Sequence, residues 1–254
     1  IPEIIAYAAK LKKELTSFTD RSEREQLLTK QLQQVEAELK TAVQELSMLR
    51  QATAERLETA VGQQLHDVNM GKTVFKIALN RVPDTQKGLA VDGEPVLVSK
   101  DGIDHVEFMV APNPGEGLRP LAKIASGGEL SRLMLVLKVI LAEADQIPTM
   151  VFDEIDTGIG GRTAQAVAEK LLLLGSSHQV ICVTHLPQIA SMAHCHFYIE
   201  KKTHQERTMI TVRALGRNER VEELARMLGG AQVTSTTREH AREMLQLAET
   251  VRLR

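Results

Sequence analysis

The chain has 254 residues, 43% hydrophobic and 25% charged, enough for one large or two small packed domains. A formal net charge of −2 excludes a protein that coats nucleic acid or anionic membrane by bulk charge, so any DNA contact has to be local. No run of about 18 apolar residues offers a membrane span, the opening Ile1-Pro2-Glu3 carries no basic leader, and Cys182 and Cys195 alone suit a reducing cytoplasm better than a disulfide scaffold. The start without methionine leads us to expect a segment of a longer chain.

From Glu3 to His66 the only glycine is Gly62, and the residues are mostly strong helix formers, which predicts one long helix or two. Leu28, Leu32, Val35, Leu39, Ala42, Leu46 and Leu49 follow alternating spacings of four and three, the seam of a coiled coil. Leu11, Leu15 and Phe18 form a shorter seam out of register with it, so a break or stutter is expected at Thr19-Asp20-Arg21-Ser22. Wholly helical, this arm would reach on the order of 90 Å at 1.5 Å per residue. A seam of that length calls for a partner helix.

After His66 the period changes, dividing the chain into an arm (1–66) and a lobe (67–254). Thr73–Leu79 and His105–Val110 predict strands with turns at Pro83, Gly88, Gly93, Pro95 and Gly102 between them. From Pro112 onward, helices are expected over Gly127–Glu143, Gly161–Leu174 and Pro187–Met192, alternating with strands over Thr149–Phe152, Val180–Val183 and Phe197–Glu200. That alternation predicts an α/β fold with a mainly parallel sheet covered on both faces. Thr208–Ala214 adds an edge strand, and Glu219–Leu228 and Thr236–Leu253 close the chain as helices.

Three segments carry potential chemistry. Ser126-Gly127-Gly128-Glu129 opens a helix, where two glycines let backbone N–H groups approach an anion and the positive end of the helix faces it. The same triplet can be a simple turn with serine as cap. Asp153 and Glu154 stand at the carboxyl end of a strand, where ligands of open α/β sheets bind. There, one carboxylate can hold Mg²⁺ through its water and the next can orient a water for attack on a phosphate, although an acidic pair also serves as a helix cap. His185 follows the strand ending Val183-Thr184, where an imidazole can reach a phosphate oxygen. Together the three segments look like half of an ATP site without its phosphate loop: Gly71-Lys72-Thr73 has His66 where the first glycine of such a loop belongs and runs into a strand.

Ala125-Ser126-Gly127-Gly128-Glu129-Leu130-Ser131-Arg132, Val151-Phe152-Asp153-Glu154-Ile155-Asp156 and Thr184-His185-Leu186-Pro187-Gln188 resemble the signature motif, Walker B and switch histidine of ABC-type ATPase heads. The arm entering the lobe directly resembles the SMC-like branch. Together with Asp156-Thr157-Gly158-Ile159 and Leu224-Ala225-Arg226-Met227-Leu228-Gly229-Gly230, the words are similar to those of the RecN family of bacterial double-strand-break repair proteins. The resemblance implies a coiled-coil return arm followed by the C-terminal lobe of an ABC-type head, with ATP and Mg²⁺ as cofactors. Ser126, Gly127, Gly128 and Glu129 would contact the ATP of an opposing head, Asp153 would support Mg²⁺ through water, Glu154 would be the catalytic base and His185 would sense the γ-phosphate. It further implies an amino-terminal lobe carrying Walker A, a homodimer, DNA double-strand-break ends and single-stranded tails as partners, the recombinase RecA, and a cytoplasmic, nucleoid-associated location without membrane. One departure stands out: ABC heads usually carry an aspartate seven residues after the Walker B aspartate, and here that place is Gly160. Communication between sites would then pass through the backbone of Thr157–Gly161.

Two other classes compete. A transporter-coupled ATPase subunit is disfavoured by the arm, and a scaffold without catalysis by Glu154 and His185. His194-Cys195-His196 lacks paired metal-ligand spacing, and the basic residues Lys201, Lys202, Arg207, Arg213, Arg217 and Arg220 suit either a DNA-facing strip or a solvated edge.

Overall fold

The computed structural model describes residues 2–124, 126–142, 144, 147–204, 207–230 and 232–252, without the side chains of 2–10, 12–20, 22 and 202–208. Ala125, Glu143 and Leu253 therefore lie outside the described residues, as do the side chains of Leu15 and Phe18 in the shorter seam and of Lys202 and Arg207 in the basic strip. By packing, the chain divides into two compact units, 1–55 with 78–107 and 56–77 with 108–254. The segment 78–107 thus groups with the first part of the arm.

Helix α1 (Pro2–Asp67) is uninterrupted. Of the break or stutter expected at Thr19–Ser22, the backbone shows no break, since no proline or glycine there removes a hydrogen bond or loosens the turn. Along the first unit Leu28, Leu32, Val35 and Leu49 each expose more than half their surface, whereas Val43 is buried. Val43 packs with Val91, Val96 and Ile103. Those residues come from β2 (Leu89–Val91), β3 (Glu94–Val96) and the loop after them. Strands β2 and β3 pair antiparallel with Val91 opposite Glu94. Asp92 and Gly93 at the tip have φ of 53° and 89°, the paired left-handed conformations for which Asp-Gly hairpin turns are selected. Asp92 is held by Gln44 at 3.1 Å and Arg81 at 2.8 Å. Asp104 accepts from Ser47 at 2.8 Å and Arg50 at 3.3 Å.

The second unit contains the end of α1, whose Val61 and Leu65 are fully buried, and most of the lobe. Strands β1 (Val74–Arg81) and β4 (Asp104–Ala111) each have residues in both units, and Met109 and Val110 of β4 pair antiparallel with β5 (Arg119–Pro120). Phe75 and Phe108 stack obliquely with centroids 5.6 Å apart. Helix α2 (Gly127–Ile140) is followed by β6 (Thr149–Phe152), α3 (Gly161–Leu174), β7 (Gln179–Cys182) and α4 (Pro187–Met192). The hairpin β8 (Phe197–His204) and β9 (Arg207–Ala214) precedes α5 (Arg217–Gly229) and α6 (Ser235–Arg252). Leu133, Val136, Met150, Phe152, Val167 and Leu174 belong to one continuous core. Leu224, Ala225, Ala241 and Leu245 belong to a second, where α5 and α6 pack with Ala190. Leu224 and Ala225 of the quoted C-terminal word are thus core residues, and Gly230, at φ 62°, ends α5.

The fold is α/β, but the sheet differs in detail from the expectation. Strands β6 and β7 pair parallel, Phe152 opposite Cys182, while β8 and β9 pair antiparallel from Phe197 opposite Ala214 to His204 opposite Arg207. The parallel pair is covered on one face only. Met150 and Phe152 are buried, whereas Val151, Ile181 and Val183 are about half exposed or more. Side chains alternate along a strand, so these three share the bare face. Gly71-Lys72-Thr73 lies in the turn between α1 and β1, with no helix after it.

Candidate functional site

The site is built where three chain segments meet beyond the ends of β6 and β7. Ser126 is the N-cap of α2, in extended conformation, and its carbonyl accepts from the Leu130 N–H at 3.0 Å. Its hydroxyl makes no capping bond, which leaves it exposed and available. The next turn faces the loop after β6. A side-chain carbon added to Gly127 would run into the Glu154 carboxylate, and one added to Gly128 would lie 3.0 Å from Thr157 Cβ and 3.1 Å from the Glu154 carbonyl. At Gly128 glycine is therefore a packing requirement of this loop, whereas at Gly127 the added carbon meets only the far end of the Glu154 side chain. Glu129 sits in the first turn, with the favourable end of the helix dipole.

Glu154 has φ of 56°, a left-handed conformation that costs a non-glycine residue roughly 1 kcal/mol or more and recurs at functional sites. Neighbouring contacts hold it there. Its N–H donates to Asp153 Oδ1 at 2.9 Å, and its carbonyl accepts from the Thr157 N–H at 3.1 Å. Helix α2 anchors the same loop. Ser131 Oγ donates to the Asp153 carbonyl at 2.9 Å, and buried Arg132 donates to the carbonyls of Thr157 at 2.9 Å and Ile155 at 3.4 Å. Burial depresses the Arg132 pKa, partly offset by the charge of Glu129. Sequence reasoning assigned no role to Ser131 or Arg132. The available signal was a charged residue opening the apolar run Leu133–Leu137, which has to find buried acceptors.

The third segment is tied in by Asp156, which is 4% exposed. One carboxylate oxygen, Oδ2, accepts from Thr184 Oγ1 at 2.6 Å and from the His185 N–H at 2.8 Å, and lies 2.9 Å from His185 Nδ1. Burial pushes the Asp156 pKa up, but the bonds from Thr184 and His185 and the ring's charge outweigh it and hold the carboxyl below its ordinary range. The His185 side chain is itself 74% exposed. Nearby, the Cys182 thiol is pushed up to about 12 by burial and by the charges of Asp156 and Asp153, so it stays protonated at neutral pH. The structure thus sets Gly127 and Gly128 against the Asp153-Glu154 loop of the same chain and ties that loop to His185 through Asp156, with Ser126 as N-cap of α2, Glu129 in its first turn, and Ser131 and Arg132 as further anchors.

Asp153 fits a hydrated Mg²⁺, which takes oxygen ligands, keeps several waters and needs only one or two carboxylates. Among the described residues no group of three His, Cys, Asp or Glu side chains gathers to hold a metal. Three of the six basic residues weighed as a strip or a solvated edge are engaged internally. Arg213 pairs with Glu219 and Arg217 with Glu249. Arg220 donates to carbonyls at the end of α4, including that of Ala193 at 2.8 Å. Among the described residues no helix is long and apolar enough to cross a membrane.

No protein-family model matches the chain. It is 37% identical over 254 residues to the DNA repair protein RecN of Bacillus subtilis, covering 99% of this chain and 44% of that protein. To RecN of Treponema pallidum it is 39% identical over 246 residues, covering 97% and 42%, and to RecN of Haemophilus influenzae 40% over 245 residues, covering 96% and 42%. Among solved structures, an Smc head with a coiled coil and joint from Pyrococcus yayanosii aligns with a TM-score of 0.44 at 15% identity, covering 69% of this chain and 29% of that one, a likeness too low to carry weight. Matched along nearly its whole length by RecN proteins, the chain belongs to the RecN family, and it spans a little under half the length of the relatives it matches.

Proposed function

We propose that this chain is the returning coiled-coil arm (1–66) and C-terminal head lobe (67–254) of an SMC-like, ABC-type ATPase that uses ATP-driven engagement of two heads to act on DNA double-strand breaks. The observation that carries the reading is the joining of the Asp153-Glu154 loop to Thr184-His185 through Asp156, with Ser131 and Arg132 of α2 holding the same loop from behind. In this reading Ser126, Gly127 and Gly128 present a hydroxyl and backbone N–H groups to the γ-phosphate of an ATP on an opposing head, with Glu129 in the same turn. Asp153 holds Mg²⁺ through a water, and the bound ion would neutralise charge on the phosphates. Glu154 takes the proton of the attacking water as general base. His185 touches the γ-phosphate.

The rest of the site would come from an amino-terminal lobe bearing the phosphate loop. The bare apolar face of Val151, Ile181 and Val183 supports such an occupant, and the relatives extend well beyond the span matched here. Homodimerisation, binding of break ends and single-stranded tails, cooperation with RecA and a cytoplasmic, nucleoid-associated location belong to the same proposal. A transporter role is not favoured, because the relatives are named as DNA repair proteins.

The test is reconstitution. The 254-residue chain alone should not hydrolyse ATP, and co-expression with the amino-terminal half of a RecN protein should produce turnover that Glu154→Gln abolishes. Sustained hydrolysis by the isolated chain, or full activity of the reconstituted Glu154→Gln protein, would sink the reading.

A further inference from the structure

We propose that Asp156 is the positioning residue for His185: its carboxylate fixes the imidazole as the Nδ1–H tautomer and leaves Nε2 as the working nitrogen. The geometry carries this. Oδ2 of Asp156 lies 2.9 Å from Nδ1, and the same oxygen accepts the His185 N–H at 2.8 Å, so side chain and backbone of one residue are gripped at a single point. A nitrogen lone pair facing a carboxylate oxygen at that distance would be repelled, so Nδ1 carries the proton. The anchor is itself fixed. Asp156 is buried, and Thr184 spends its proton on Oδ2 at 2.6 Å while its oxygen accepts the Leu186 N–H at 3.0 Å. The ring, by contrast, is 74% exposed. Without Asp156 it would sample several rotamers, and free imidazole favours the other tautomer.

The consequence for chemistry rests on the proposed role of His185 at the γ-phosphate. A neutral Nδ1–H ring offers only a lone pair at Nε2, which repels an anionic phosphate oxygen. Contact therefore needs a second proton on Nε2, and the resulting imidazolium has its countercharge 2.9 Å away in Asp156. Asp156 then does two separable things: its oxygen orients the ring, and its charge lies opposite the cation that meets the phosphate.

The decisive measurement is the ring ¹⁵N–¹H correlation spectrum of the 254-residue chain labelled at histidine, at about pH 8.5 so that an ordinary histidine is neutral. His185→Gln identifies the signal by its loss. We expect the Nδ1–H pattern in the wild type and its replacement by the Nε2–H or averaged pattern in Asp156→Ala. An Nε2–H or averaged pattern in the wild type overturns the proposal even if Asp156→Ala does not fold, and so does an unchanged pattern in a folded Asp156→Ala chain. Asp156→Asn keeps an acceptor oxygen without the charge. We expect it to retain the tautomer while lowering turnover of the reconstituted head about tenfold. Wild-type turnover in Asp156→Asn beside a loss in His185→Gln would overturn the countercharge role. Because the spectrum needs no nucleotide, failure of the ATPase reading and failure of the tautomer are distinguishable.

Discussion

Glu154 is held in a backbone conformation that glycine adopts without strain, at φ 56°. No described hydrogen bond to its carboxylate compensates for this, since the local bonds are made by its own N–H and carbonyl and by Asp153, Ser131 and Arg132. The strain is therefore a cost carried by the side chain that the proposed chemistry requires. Glu154→Gly should raise stability relative to Glu154→Gln by up to about 1 kcal/mol, the left-handed penalty offset in part by the greater freedom of glycine in the unfolded chain. Paired denaturant melts check this, and a Glu154→Gly variant less stable than Glu154→Gln would show that the carboxylate region contributes binding energy to the fold. The position of Asp153 and Glu154 at a strand tip was legible in Thr149–Phe152, an apolar run followed by two acids. The handedness of Glu154 was not, because it is imposed by the tertiary grip of α2.

At the scale of elements, α2 clamps the loop that follows β6 through two adjacent glycines and two adjacent polar residues. The glycines differ in what they face. An added carbon at Gly127 meets only the end of a long side chain, whereas at Gly128 it meets Thr157 Cβ at 3.0 Å and the Glu154 carbonyl at 3.1 Å, neither of which can swing aside. Gly128→Ala should cost on the order of 1–3 kcal/mol as overpacking. Gly127→Ala should cost less while displacing the Glu154 carboxylate and lowering turnover of the reconstituted head. Thermal melts of the two variants, read beside their activities, check the ordering. Two helices were legible to the residue, Gly161–Leu174 and Pro187–Met192, because their periodicity and boundary residues agree, whereas α2, expected to reach Glu143, ends at Ile140. The hairpin β2–β3 was missed although Asp92-Gly93 advertises its turn, because strands of three residues give too short an alternation to register. Asp156 stood inside a quoted motif, but its role depends on where Thr184-His185 arrives in space, which no local pattern encodes.

For the molecule as a whole, the unevenness of burial is the informative property. The cores around Leu133 and Leu224 are closed, yet the hairpin β8–β9 keeps Phe197, Ile199, Ile210 and Val212 each more than half exposed. In the observed register Phe197 faces Ala214 and Ile199 faces Val212, so these side chains form one apolar face. Contiguous apolar surface of this kind raises the tendency of a chain to associate with itself, and the small net charge of −2 gives little electrostatic repulsion against it. The isolated chain should accordingly bind the dye 1-anilinonaphthalene-8-sulfonate while still natively folded and should self-associate as its concentration rises. Co-expression with the amino-terminal half should suppress both, as fluorescence and light scattering would report; equal dye binding in the two preparations would count against a covered face. The same feature bears on how such a protein is made. On the function proposed above, a hairpin whose apolar side would stay wet until an amino-terminal lobe arrived is an unfinished surface during synthesis, and the order in which the two would meet becomes a matter of colloidal survival as well as of catalysis.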